Sequence, residues 1–471
     1  MEIPRFLQKS GNTRLLFARL LSIRLLFVPL FFLPLMKIQA QTKPLDAYIQ
    51  EALNNSHALK EKQFVLERNL LALEEAKRLY YPSVSLSGSY TLAAGGRKID
   101  FPVGDLLNPV YSSLNQITNT SNFPQIENVN TLLLPNNFHD VKIRTQQPIV
   151  NAEIKLNRSI KTAQVSLQEI DMQVYRRELA KNVKIAYYQY LQAREAVAIY
   201  QNAIQLLQES KRVNESLVRN DKAVPSVISR TNSEIASVEA QAAEAHNQQR
   251  NAAAYFNHLL SRSLDEPISI DTIQIVQGGD RISVSEQEGR PFILENREEL
   301  AQLNKAQEIN RLLVNIEESY RKPTIGAQLD LGSQAFGLKV GPYALLGISL
   351  ELPLWTANRN KLQVQQAVTN VSALNEQIEQ VKQQIALQIR VAQNAVQTEQ
   401  EVLQSFNTQQ DAARQYYRDT FRRYKEGVAN YIELLDARTQ ITNLDVRRSI
   451  AYYNVLMRLA ELERALGAIK K

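Results

Sequence analysis

The feature that most constrains this chain is an internal duplication. Asn55, Leu59 and Pro82 recur as Asn296, Leu300 and Pro323, each displaced by 241 positions, and the stretch between them has helical amphipathic spacing in both copies. Each helix stops at its proline, and a segment of period two follows. In the first copy this is SVSLSGSYTL, with Val84, Leu86, Tyr90 and Leu92 on one face and hydroxyl side chains on the other. In the second it is TIGAQLDL, with Ile325, Ala327, Leu329 and Leu331 alternating against Gln328 and Asp330. A second strand follows in each half, VKIRTQQPIV and LGISLELPLW, with Pro148 and Pro353 in register at an offset of 205. The fall from 241 to 205 places an insertion between the strands of the first half. Residues 98–138, rich in Pro, Asn, Ser and Gly, read as a long loop.

Beyond each second proline a helical pattern runs from 151 to about 220 and from 357 to about 424, long enough for rods of roughly 100 Å. Val364, Val371, Ile378, Ile385 and Ala392 recur every seven residues, interleaved with Ala367, Leu374, Val381, Ala395 and Val402, with one break at Gln388. This is the seam of a left-handed coiled coil. The rods end in turns, AVPSVISRTNSEIA and GVANYIELLDARTQ, aligned at an offset of 204. Ser226 and Asn430 are matching N-cap types for the returning helices. The repeat is helix, strand, strand, long helix, helix, twice. The domains expected are a first repeat at 41–262, a connecting segment at 263–290 and a second repeat at 291–471.

Four strands with one apolar and one polar face either cover a core or meet lipid. Their length suits an outer-membrane barrel, and Lys142, Arg144, Gln146, Ser349 and Glu351 suit a wet lumen. Four strands cannot close a barrel, so several chains must contribute. The junctions between strands and helices fall at Pro82, Pro148, Pro323 and Pro353. Tyr80, Tyr81 and Trp355 stand beside them, either as an aromatic interface belt or as packing at the junction.

Composition narrows the classes further. The chain of 471 residues has no cysteine, four histidines and 15 glycines. Disulfides, thiolate metal sites and cysteine catalysis are excluded. His57, His139, His246 and His258 form no metal-ligand spacing, and no phosphate-binding or nucleophile motif occurs, so neither an enzyme nor a cofactor is expected. The net charge of +7 is concentrated in residues 1–40, where Arg5, Lys9, Arg14, Arg19, Arg24 and Lys37 face only Glu2. Nucleic acid is therefore not an expected partner. Those residues, with the apolar run Leu25 to Met36, read as an export signal cleaved after Ala40, although Ile38 stands where a small residue is usual.

These residues carry a resemblance. The tandem halves, YYPSVSLSGSY, PIVNAEIK, PLWTANRNK and above all YKEGVANYIELLDARTQ followed by AYYNVLMRLAELERALG resemble the TolC-type outer-membrane efflux protein family. The resemblance implies an α+β membrane protein that assembles as a homotrimer, with a 12-stranded barrel and a periplasmic helical tunnel. It further implies docking onto a periplasmic adaptor and an inner-membrane pump, and efflux of small molecules or export of polypeptides. A secreted or periplasmic coiled-coil scaffold is the alternative; it accounts for the rods but not for the strands. In the family, the positions of Glu433 and Asp436 line the periplasmic entrance, and the tip turn is formed by residues matching Tyr424, Gly427, Asn430, Ser226 and Ser229. Glu433 also has capping-box spacing from Asn430, which favours Asp436 as the pore-lining acid. Ala429 and Ser229 replace a basic and an acidic gate residue of the family, so a looser or apolar closure is expected.

Overall fold

The computed structural model describes residues 44–270 and 297–467. The expected export signal and most of the connecting segment lie outside the described residues. The first repeat comprises α1 (Pro44–Asn55), α2 (His57–Arg78), β1 (Ser83–Thr91), β2 (Lys98–Phe101), α3 (Val103–Thr118), β3 (Val129–Leu132), β4 (Phe138–Val150), α4 (Ala152–Arg219) and α5 (Ser226–Leu259). The second comprises α6 (Glu298–Ser319), β5 (Thr324–Phe336), β6 (Pro342–Glu351), α7 (Arg359–Lys425) and α8 (Tyr431–Leu466).

The 68 residues of α4 and 67 of α7 form the rods, each extending roughly 100 Å. Each packs along its returning helix, α4 on α5 and α7 on α8, and α4 also packs on α6 and α8. The α7 seam follows the expected heptads through Ile378 and Ile385, both buried. At the break it advances by four instead of three, so the buried positions continue through Ile389 and Val396, while Val402 is 37% exposed. The break at Gln388 is thus an inserted stutter that moves the seam past Ala395 and Val402.

The largest apolar cluster lies where α1, α4, α5 and α8 meet, with Tyr48, Val183, Tyr187, Phe256, Leu260 and Tyr453 buried. The Tyr48 and Phe256 rings meet edge to face at 5.1 Å. Nearby, Glu299 at the start of α6 accepts from Arg297 at 2.9 Å and Arg464 at 2.5 Å, and Arg177 of α4 pairs with Glu298. These contacts fasten the start of the second repeat to the end of α8 and the middle of α4.

The four principal strands form one antiparallel sheet in the order β1-β4-β5-β6, so the two repeats meet at the β4–β5 pair. Pro82 and Pro323 each stand one residue before a strand. Pro148 lies inside β4 opposite Gly326, where the register shifts between Pro148 and Val150 and where β1 no longer reaches. A bulge beyond the neighbour's end tolerates the missing N–H. Pro353 follows β6 in an irregular stretch.

Residues 98–138 are not the long loop their composition suggests. They contain the β2–β3 ribbon and the 16-residue α3. Asparagine side chains do what a strand partner would. Asn108 donates to the Ile126 carbonyl (2.9 Å) and accepts from its N–H (2.8 Å), and Asn115 pairs in the same way with Phe123 (2.7 and 3.1 Å). Gly104 is required here, since a Cβ would lie 2.4 Å from the Ile126 carbonyl.

Candidate functional site

The sheet has no core. Among the described residues no helix or second sheet covers either face, and every residue of β1 is exposed. Its register sorts side chains cleanly. One face carries Val84, Leu86, Val141, Ile143, Leu329, Leu331, Leu346, Ile348 and Leu350, of which Leu86, Leu346 and Ile348 are each 74% exposed. From Val84 to Tyr90 this apolar band spans roughly 20 Å along the strand.

The opposite face is mainly polar, with Leu345 opposite Asp330 and the Phe138–Phe336 pair at one end as its apolar members. Ser83, Ser85, Ser87 and Ser89 of β1 stand beside Gln146, Arg144, Lys142 and Asp140 of β4. Arg144 donates to both carboxylate oxygens of Asp330 (2.9 and 2.8 Å), Lys142 to Asp140 (2.6 Å), and the Tyr343 hydroxyl to Asp140 (2.9 Å). The basic residues expected in a lumen are therefore charge-paired, Arg144 across to β5 and Lys142 within β4. Ser349 and Glu351 share this face, as expected.

At the far end of the rods, the two tip turns are built differently. Gly427 takes a left-handed φ of 74° after α7. Asn430 caps α8, accepting from the Glu433 N–H at 2.9 Å, and its amide donates to the Glu433 carboxylate at 3.1 Å. Glu433 is thus occupied in the cap, while Asp436 is exposed and makes no ion pair among the described residues. Ile432, 72% exposed, flanks them. The matching N-cap expected at Ser226 is absent. Pro225 already has helical angles (φ −57°, ψ −25°), so Ser226 sits inside the first turn and its hydroxyl caps nothing. Ser229 is exposed.

Within one chain the four tip helices are joined by a buried polar network that holds Tyr424. The Tyr424 hydroxyl donates to Asn214 Oδ1 at 2.5 Å, Asn214 Nδ2 donates to Thr231 Oγ1 at 2.9 Å, and Thr231 Oγ1 lies 2.7 Å from the Tyr431 hydroxyl. Asn214 and Thr231 are fully buried, and Ala429 packs among Tyr424, Tyr431, Leu434 and Leu435. One residue from each of α4, α5, α7 and α8 enters this network. Burial, reinforced by Tyr431, pushes the Tyr424 hydroxyl up to about 12. Next to it, buried Arg438 donates to Ser210 (3.1 Å) and to the Ala203 carbonyl (3.0 Å). Neither Asn214 nor Arg438 was among the expected site residues, yet both carry a sequence signal. Asn214 lies seven residues after buried Leu207, and Arg438 continues the buried stripe of Tyr431, Leu434 and Leu435. A polar side chain on an apolar seam marks a buried network.

At the strand–helix junctions, Tyr80 donates to the Asn151 carbonyl at 2.8 Å, so its hydroxyl serves junction packing. Tyr81 and Trp355 are 70% and 85% exposed.

Residues 292–468 match the family described as outer membrane efflux protein. Solved structures extend the likeness to nearly the whole chain. The outer membrane protein VceC from Vibrio cholerae superposes with a TM-score of 0.70 at 17% identity, covering 90% of this chain and 96% of its own. CusC gives 0.73 at 14% identity (90% and 92%), and the Campylobacter jejuni CmeC outer membrane channel 0.68 at 16% (90% and 85%). No curated protein matches by sequence. The chain has the fold of the TolC-type outer-membrane channels, and its second repeat matches the efflux-protein family in sequence.

Proposed function

We propose that three copies of this chain form an exit duct in the bacterial outer membrane, extending into the periplasm, for efflux of small molecules or export of polypeptides. The observation that carries this reading is the sheet exposed on both faces, apolar on one and polar on the other. In water such a sheet would leave an apolar face and two strand edges unsatisfied; closed with its copies in a bilayer it satisfies both. Three sheets of four strands give a barrel of 12, apolar outside and lined by serines and paired charges inside. A secreted coiled-coil scaffold would have no use for such a sheet.

The rods then form the periplasmic tunnel, whose tip meets a periplasmic adaptor and an inner-membrane pump. Asp436 lines the tip entrance, and the folded insert 98–138 stands at the extracellular mouth, opposite the rods. Passage through the duct needs no catalytic group, so the chain acts as a channel and not as an enzyme. The test is reconstitution. Extracted outer membranes should yield a carbonate-resistant, heat-sensitive trimer that conducts ions in planar bilayers. A well-behaved detergent monomer without conductance would overturn the reading.

A further inference from the structure

The second-repeat junction, between the end of α6 and the start of α7, forms an open cleft of about 1010 Å³ whose lining includes Arg321, Lys322, Arg359 and Lys361 together with Leu354 and Trp355. Glu318 is the only carboxylate among the lining residues. None of the four basic side chains has an ion pair or a side-chain hydrogen bond among the described residues. This sets them apart from Lys142 and Arg144 of the sheet, each of which is paired with a carboxylate. Leu354 and Trp355 are 89% and 85% exposed and continue directly from the apolar face that ends at Leu350.

The backbone here differs from that of the first-repeat junction. Ala357 and Asn358 both take left-handed angles (φ 48° and 62°), and no side chain caps α7. Asn360, 8% exposed, donates to the Glu317 carbonyl at 2.8 Å and holds the two helix ends together. In the first repeat, Asn151 caps α4 by accepting from the Glu153 and Ile154 N–H groups, and Tyr80 and Tyr81 stand where Arg321 and Lys322 stand in the second.

We propose that this junction binds the headgroup of an anionic phospholipid from the leaflet on the helical side of the membrane, its phosphate among Arg321, Lys322, Arg359 and Lys361 and its acyl chains along Leu354, Trp355 and the apolar face of β6. The inference rests on the membrane-spanning reading of the sheet. Four cations against one carboxylate select a net negative headgroup over a zwitterionic one, whose amine would meet further positive charge. The strand ends set the depth, because the apolar band stops where the cations begin. Lipid is chosen over a soluble phosphate because the apolar wall of the cleft is continuous with the lipid-facing surface and would have no partner in a free anion.

Trp355 is the only tryptophan of the chain and reports on this site alone. The full-length protein is reconstituted into phosphatidylcholine vesicles containing a small fraction of either phosphatidylglycerol or phosphatidylcholine brominated on the acyl chains, and insertion is verified by flotation. Brominated phosphatidylglycerol should quench Trp355 more strongly. Each neutralised cation should reduce the preference about fivefold, the equivalent of about 1 kcal/mol for a basic residue near a surface. Arg321→Gln with Lys322→Gln should therefore nearly abolish it, while Arg321→Lys retains it and shows that the charge matters rather than the fold. Equal quenching by the two lipids in inserted protein overturns the site but leaves the barrel. Loss of the preference on adding millimolar inorganic phosphate would show a soluble anion as the ligand and overturn the lipid assignment. Failure to float would remove the membrane reading and the site with it.

Discussion

The two repeats share an order of elements and differ at both of their ends. Where helix meets strand, the first repeat has Tyr80 and Tyr81 and an Asn151-capped α4; the second has Arg321 and Lys322 and an uncapped α7 preceded by two left-handed residues. At the tip, the first turn starts its helix with a proline and carries uncharged Ser229, whereas the second uses an Asn430 cap and exposes Asp436. What the copies keep in common is what builds rods and strands. The seams and the two-residue alternation are set by burial and pairing, and these demands are the same in both halves. In the proposed duct the ends face lipid, solvent or partners, and duplication leaves them free to specialise. In a closed trimer, β6 of one chain pairs with β1 of the next, so the basic junction of one copy stands beside the tyrosine junction of its neighbour.

The largest effect should come from the feature the repeats share most strictly. Ile348→Arg places a charge on the apolar face, which the proposed barrel turns to lipid, and should cost about 2–4 kcal/mol near the midplane, whereas Ser349→Arg, its immediate neighbour on the polar face, should assemble normally. The heat-sensitive trimer band in isolated membranes separates the two. The same contrast is expected for Leu86→Arg against Ser87→Arg in the first repeat. If one repeat tolerated the outward charge, the two halves of the sheet would not face the same solvent.

The joint between the repeats at the tip comes next. Tyr424→Phe leaves the buried Asn214 carbonyl oxygen without its donor and should destabilise the tip by about 1–3 kcal/mol, raising hydrogen exchange at the α7–α8 turn. Alkali should act on the same bond. The Tyr424 hydroxyl is raised from its ordinary 10.0 to about 12, so its contribution is fully present below pH 10 and is lost as pH rises through about 12. The wild-type turn should loosen across that window, and in the Phe variant that part of the alkaline response should be missing.

Much of this molecule is legible in its sequence because rods and strands have periods. The repeat, the existence of the four strands, the bounds of α4 and α7 and the break at Gln388 all follow from spacing, although β6 spans Pro342–Glu351 and not the expected 346–355. Three features did not follow. The insert 98–138 folds through Asn108 and Asn115 bonding to backbone, an interaction with no period and with the composition of a loop. Ser226 has the chemistry of a cap, but Pro225 fixes helical angles one residue earlier. The polar network at the tip enters from Asn214, on the neighbouring rod, and only its place on an otherwise apolar seam marks it.

A smaller effect separates the two tip caps. Asn430→Ala should lower stability by about 1 kcal/mol through loss of its bond to the Glu433 N–H, and Ser226→Ala should change almost nothing, a difference visible in thermal unfolding.

The smallest expected effect bears on function alone. Asp436 is exposed and unpaired among the described residues, whereas Glu433 is held by Asn430. If the second repeat supplies the charge at the tunnel entrance, three copies of Asp436 attract cations there, and multivalent cations added from the periplasmic side should block the current. Asp436→Ala should weaken that block at unchanged trimer stability. Glu433→Ala should weaken it less, because its carboxylate is partly satisfied by the cap, and its main effect should be on the start of α8. Placing an acid in the first repeat, Ser229→Asp, should strengthen the block and make the two turns more alike. Block unchanged in all three variants would remove the carboxylates from the entrance and leave Glu433 with its capping role only.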